Sequence, residues 1–267
     1  MSMKDVAAGV TSVATVSKFE NGVADLASGK VLQLLQNMGV SFRNFVHIQG
    51  DSSTHAALQQ VMTMYRCHQI DQLQTFVTTR VNARAQRAAS VDFNELMIAA
   101  GLCCDLSGEV FVTDQDIRKL AQDLRSVTEW DENEVYMFNT TVPLLPDNVL
   151  YELAHSLLEQ LNEIHVLNAS LYQKGWLAVL DAIEQLMERQ SSYSTVLLRR
   201  SNEEDIPLTI SVVVFRLRVL NLCEQERTQP TEETRKQITD MLDLLKFIEA
   251  DGLVTKFERH VRHLVNM

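Results

Sequence analysis

The stretch Thr11-Ser12-Val13-Ala14-Thr15-Val16-Ser17-Lys18-Phe19-Glu20-Asn21-Gly22 holds a short helix between its own start and stop signals. Thr11 or Ser12 can cap it, accepting from the free N–H groups two or three residues on. Val16 and Phe19 share one face at i, i+3, and Gly22 supplies the positive φ on which helices end. Upstream, Met3 to Ala8 can form another short helix, stopped at Gly9. Two short helices joined by a Gly-containing turn have helix-turn-helix geometry. Downstream, Ser28 can cap a helix from Gly29 to Met38, whose Val31, Leu32, Leu34, Leu35 and Met38 make a broad apolar face. Gly39 closes it, and Ser41 opens a further turn through Phe42 and Phe45. The same pattern also fits a helical hairpin that merely closes one end of a helical domain.

Beyond this head, composition decides the class. The chain has 267 residues, 46% apolar and 22% charged, which suits one or two globular domains and excludes disorder. Nine Gly, four Pro and 6% aromatic residues are too few for the turns and strands of sandwiches, barrels or wound sheets. An all-α fold is expected. The longest nearly apolar run, Leu208 to Phe215, is far too short to span a bilayer, and the start lacks a signal-peptide pattern. The expectation is a cytoplasmic protein with no membrane partner. Cys67, Cys103, Cys104 and Cys223 show no CxxC spacing and read as small buried hydrophobes.

Charge separates the two ends. Residues 1–50 carry Lys4, Lys18, Lys30 and Arg43 against Asp5, Glu20 and Asp25, a net +1. The chain totals −11, so the remainder carries −12. Phosphates would be repelled by that remainder, and any nucleic acid must meet the first fifty residues. Two domains are expected accordingly, 1–50 and 51–267.

From Asp51 onward, helix-period segments alternate with short breaks: Ala56–Cys67, Ile70–Val81, Val91–Leu106, Asp114–Val127, Glu134–Val142, Val149–Ile164, Leu167–Met187, Ser192–Arg200, Ile206–Cys223 and Thr231 to the end. Paired helices recur roughly every 35 to 40 residues, as in a stacked helix-hairpin solenoid. Such stacks curve and offer an extended peptide a groove.

Lys4-Asp5-Val6-Ala7, then Ser12-x-x-Thr15-Val16-Ser17-Lys18-Phe19-Glu20-x-Gly22, then Leu32-x-x-Leu35-x-x-Met38-Gly39-Val40-Ser41-x-x-x-Phe45 resembles the phage-repressor type of helix-turn-helix. In detail it is similar to the Rgg group of Gram-positive transcription regulators, as is Ser126-Val127-Thr128-Glu129-Trp130 further on. The resemblance implies a helix-turn-helix head, a tetratricopeptide-like repeat domain, a homodimer, a double-stranded DNA operator and a short signalling peptide, as in quorum sensing. It places Ser12, Val13, Ala14 and Thr15 at base edges in the major groove. Thr15 would bond a base or meet a thymine methyl, and Val13 and Ala14 would make apolar contacts. Lys18 and Asn21 would sit on phosphates. For Val13, simple packing is the alternative.

Two departures are visible. Met3 stands where a polar residue usually opens the first helix of the turn, and the further Arg- and Leu-rich helix with which that fold normally begins is missing before Lys4. Val6, Val16, Leu32 and Leu35 are therefore expected to lack part of their cover. Either the start is shortened or operator binding has been lost, which leaves a helical peptide-binding or scaffold protein as the second reading.

Peptide backbones need donors and acceptors together, and side-chain amides supply both. Asn139 in Tyr136-Met137-Phe138-Asn139-Thr140 and Asn168 in Val166-Leu167-Asn168-Ala169 interrupt apolar stretches, where Asn is disfavoured unless bonded. Tyr136, Asn139 and Asn168 are candidate peptide contacts; a helix cap or an inter-helix bond is the alternative for either Asn. Arg216 and Arg218 break the run Ser211 to Leu220, and on a helix they cannot both avoid its apolar side. Arg216 is the candidate for a peptide carboxylate, with a salt bridge to Glu224 or Glu226 as alternative. Where family members often carry an Arg after the Trp130 position, this chain has Pro143.

No catalytic pattern emerges. Glu152-x-x-His155 lacks the second such pair that a carboxylate-bridged metal site needs, and His260 and His263 make at most half a site. HExxH, GxSxG, phosphate-loop and EF-hand patterns are missing. Neither a metal nor a cofactor is expected, and no enzyme activity. Lys256, Arg259 and Arg262 read as a solvated face or a dimer contact.

Overall fold

The computed structural model describes residues 2–39, 52–86 and 91–247, together with Val254, Phe257, Glu258 and Val261; of residues 52–56 it describes the backbone alone. All regular elements among these residues are helices. The chain divides into two compact units, 1–60 and 61–267. The boundary expected after residue 50, the Ser41 turn with Phe42 and Phe45, and the terminal His260, His263, Lys256, Arg259 and Arg262 lie outside the described residues.

The first unit holds α1 (Met3–Ala7), α2 (Val13–Glu20) and α3 (Ser28–Asn37). One turn of helix cannot sustain itself in water, so α1 needs outside help. At its start Ser2 and Asp5 form a capping box, with the Ser2 hydroxyl donating to Asp5 Oδ2 at 2.7 Å. At its end the Asn37 amide of α3 donates to the carbonyls of Val6 and Ala8, at 2.8 and 2.9 Å. Gly9, Gly22 and Gly39 lie at φ +72°, +68° and +67°, each ending a helix where a Cβ would be strained. Ser12 rather than Thr11 caps α2. Ser28 does not cap α3; it is the first helical residue, behind Ala27. Ala7, Val16 and Leu34 form the small core, with Val6, Val10 and Leu26 against it. The expected lack of cover therefore holds for Leu32, 40% exposed, but not for Val16 or Leu35, which are buried.

Helix α4 (Ser52–Arg66) contains the division between the units. The second unit continues through α5 (Ile70–Ala85), α6 (Phe93–Ser107), α7 (Asp114–Arg125), α8 (Glu132–Thr141), a 3-10 turn at Val142–Leu144, α9 (Asp147–Leu167), α10 (Ala169–Glu188), α11 (Tyr193–Ser201), a 3-10 turn at Leu208–Ile210, α12 (Ser211–Thr228) and α13 (Glu232–Phe247). Helices two apart in sequence pack side by side. α6, α8, α10 and α12 form one layer, and α7, α9 and α11 form the other. This is the alternating two-layer order of a helical-repeat stack.

Close packing explains several of the residues. A Cβ on Gly101 of α6 would fall onto the Thr140 carbonyl oxygen and come within 2.9 Å of Thr141 Cα, so α6 and α8 approach as only glycine permits. Gly175 gives α10 the same freedom against Leu161 of α9. Trp130 is buried against Phe138, its ring nitrogen donating to Ser156 Oγ at 3.3 Å and its backbone N–H to Gln160. Arg189, at the end of α10, donates to the carbonyls of Pro143 and Leu145 and pairs with Asp147, holding the 3-10 turn against the stack. Cys103, Cys104 and Cys223 are buried as expected, whereas Cys67 is exposed at the end of α4. No helix among the described residues is long and apolar enough to cross a membrane.

Candidate functional site

Ser12, Val13, Ala14, Thr15, Lys18 and Asn21 all fall on α2 or its caps. The Ser12 hydroxyl accepts from the Thr15 backbone N–H at 3.2 Å and meets Thr15 Oγ1 at 2.8 Å. These two hydroxyls thus serve the helix start as well as its outer surface. Val13, 40% exposed, Ala14 and Lys18 point away from the core. Packing is therefore not what holds Val13. Asn21 is the C-cap, its amide donating to the Ser17 carbonyl at 2.7 Å. Met3, at the place where a phosphate-gripping residue is usual, is exposed on α1.

In the second unit, the sequence candidates separate. Tyr136 and Asn139 lie one turn apart on α8. The Tyr136 hydroxyl donates to Met62 Sδ of α4 at 3.2 Å. Burial pushes the Tyr136 phenol up, partly offset by Arg66. Asn139 is half-buried, and its amide donates to Asp181 Oδ2 of α10 at 2.5 Å. Arg216 of α12 donates to Asp181 Oδ1 at 2.6 Å and meets Glu184 Oε1 at 2.7 Å. Burial disfavours the Arg216 charge, but Asp181 and Glu184 outweigh it and hold its pKa above the usual value. One polar string, Asn139–Asp181–Arg216–Glu184, therefore crosses three neighbouring helices of one layer, α8, α10 and α12.

Two expectations need correction here. Arg216 does not pair with Glu224 or Glu226, which are taken by Arg227 and Arg235; it is only 3% exposed and its guanidinium is held by two carboxylates of the chain itself. An incoming carboxylate would have to displace them. Asn168 takes the helix-cap alternative rather than a place inside a helix: it stands at φ −153° between α9 and α10, and its Oδ1 accepts from Leu171 N–H at 3.1 Å as the cap of α10. It lies thirteen residues before Asp181, about 20 Å along that helix, and does not join the Asn139 string. Glu152 pairs with Arg125 at 2.7 Å, and His155 with Glu159.

Asp181 and Glu184 escaped the sequence reading, yet a signal existed. They sit three apart inside Val179-Leu180-Asp181-Ala182-Ile183-Glu184-Gln185-Leu186, and charges on a helix buried nearly all round require a partner. Arg216, equally misplaced in its own apolar run, was the matching half.

Comparison with known proteins agrees with this architecture. The family described as HTH-type transcriptional regulator Rgg, C-terminal domain, matches residues 81–259. Among solved structures, the SHP pheromone receptor Rgg2 of Streptococcus dysgalactiae superposes with a TM-score of 0.72 at 15% identity, over 99% of this chain and 95% of that one. A regulator of transcription from Listeria monocytogenes EGD-e gives 0.69 at 12% identity, over 100% and 92%. A bacterial peptide pheromone/receptor complex gives 0.59 at 10%, over 98% and 93%. At such identities the likeness is one of fold, while the family match covers well over half of the residues. This chain belongs to the Rgg family of HTH-type transcriptional regulators.

Proposed function

We propose that the protein is a cytoplasmic, dimeric regulator that reads an operator with α2 and is controlled by a short peptide bound in the groove of its repeat stack. The solved relatives include a pheromone receptor and a peptide pheromone/receptor complex, and the same ligand class is carried over here. In this reading Val13, Ala14 and Thr15 meet base edges, with Ser12 setting the helix start. Lys18 and Asn21 settle on phosphates. The peptide lies along α8, α10 and α12, meeting Tyr136 and Asn139. Arg216 acts from behind through Asp181, and Asn168 keeps its capping role. A peptide that prefers one curvature of the stack shifts its population and so the spacing of two heads on half-sites.

The observation that carries this reading is the Rgg match over 81–259 in a chain whose first unit presents a capped α2 with an outward Val13–Ala14–Lys18 surface. A polarisation titration against the DNA upstream of its own coding sequence tests it. Binding should weaken steeply with salt, and Lys18→Ala should weaken it on all sequences while lowering the salt slope by about one. Salt-independent or undetectable binding by the full chain would leave the peptide-binding scaffold as the better reading.

A further inference from the structure

We infer that Asp181, Arg216 and Glu184 are positioning residues for the Asn139 amide, fixing it so that its carbonyl, not its NH2, is offered to the ligand. The matching ligand group is then a donor, a peptide backbone N–H or an ammonium. This rests on the peptide reading above and adds to it the polarity of the contact.

Glu184 and Arg216 have side chains only 5% and 4% exposed, whereas Asp181 is 26% exposed. The string therefore starts sealed in the core and ends at the surface. Arg216 has only donors, so the Asp181 oxygen it meets at 2.6 Å is committed to it. The other oxygen, Oδ2, faces Asn139. A carboxylate can only accept, so the Asn139 NH2 must turn toward it, as it does at 2.5 Å. Its Oδ1 is thereby turned away from Asp181, and no described residue donates to it. A buried ionic string of this kind is a poor source of stability compared with apolar packing, which fits a role in orientation.

The polarity can be inverted by one substitution. In Asp181→Asn the new amide must keep its oxygen toward Arg216, so its NH2 points at Asn139. Asn139 then has to turn its own oxygen inward and present NH2 outward. Pairing Asp181→Asn with Asn139→Asp restores an outward oxygen, because the carboxylate placed at position 139 accepts from the amide placed at position 181.

The test uses the full chain and a pool of synthetic octapeptides with free termini, screened by affinity selection and mass spectrometry. The strongest binder is then titrated by polarisation and remade with single N-methylated backbone positions. Asp181→Asn should bind it about tenfold to hundredfold more weakly, and the double variant should recover to within about threefold of the parent. One N-methyl position should lose at least about tenfold in the parent and nothing further in Asn139→Ala. If the parent retains no octapeptide, the peptide reading fails and this inference falls with it. If a peptide binds but Asp181→Asn binds equally, the inference is overturned while the peptide reading stands. Loss without recovery in the double variant, or a flat N-methyl scan, overturns it as well. Should Asp181→Asn melt early, the N-methyl scan in the parent and in Asn139→Ala decides alone.

Discussion

The two units achieve order by different means. In the first, the described residues bury only Ala7, Val16, Leu34 and Leu35, with Val6, Val10 and Leu26 half-buried beside them, and caps add the Ser2–Asp5 box, the Ser12 oxygen and the Asn37 amide. In the second, α10 alone buries Leu171, Tyr172, Trp176, Val179, Leu180, Ile183, Leu186 and Met187, and caps are secondary. Among the described residues, the first unit leans on local hydrogen bonds, and the stack leans on buried volume. The charged string of the second unit is the exception, as a polar device set inside the well-packed half.

The largest effect should come from breaking that exception. Arg216→Met takes the guanidinium away from the buried Glu184 and the part-exposed Asp181 and should cost about 3–5 kcal/mol in urea unfolding. Adding Asp181→Leu and Glu184→Leu should return most of it, since an apolar replacement of the whole string removes the buried charge. If the triple variant is no better than the single, charge is not what the site balances. Next, Gly101→Ala forces α6 and α8 apart and should cost about 2–4 kcal/mol, read as an earlier melt of the second unit. Both tryptophans, Trp130 and Trp176, lie in that unit, so their fluorescence follows it alone.

Val16→Ala aims at the smaller core and should cost about 2 kcal/mol. Faster amide exchange in α1–α3 with an unchanged fluorescence midpoint would keep the contrast, and a common shift would show that both units melt as one. Burial pushes the Cys223 thiol up to about 12, with Glu184 adding to the shift, from an ordinary 9.0. The folded chain therefore holds a proton that the unfolded chain releases between those values. Stability present below pH 9.0 should be lost as pH climbs toward 12, at up to about 1.4 kcal/mol per pH unit, and Cys223→Ala should flatten that alkaline limb. The smallest effect is Ser12→Ala, about 1 kcal/mol from α2, seen as fraying of its first turn by amide exchange.

Much of this was legible in the residues. The stops at Gly9, Gly22 and Gly39 and the cap at Ser12 follow from local chemistry, and helix-period apolar positions located most helices of the stack to within about four residues, whereas the helix expected at Ile206–Cys223 runs instead from Ser211 to Thr228 behind a 3-10 turn. The break between α9 and α10 is legible but falls two or three residues later than the pattern sets it, at Asn168, because Val166 and Leu167 look like core and are 84% and 85% exposed. Arg216 was paired with the wrong acids for a related reason. Its partners lie 35 and 32 residues earlier in the chain, on a helix brought alongside only by the stacking of α10 and α12. Periodicity reports which face of a helix is buried, and it carries no information about which buried charges meet.

The Asn37 amide has a practical corollary for chimeras. Because it closes the end of α1 from thirty-one residues away, α1 and α3 form one transplantable piece rather than two. A fragment cut before residue 37, or a graft that exchanges the first turn-helix pair between relatives without it, would strand the Val6 and Ala8 carbonyls. Residues 2–39 are the shortest segment that keeps those bonds and the Gly39 stop together, and they should be moved as a block.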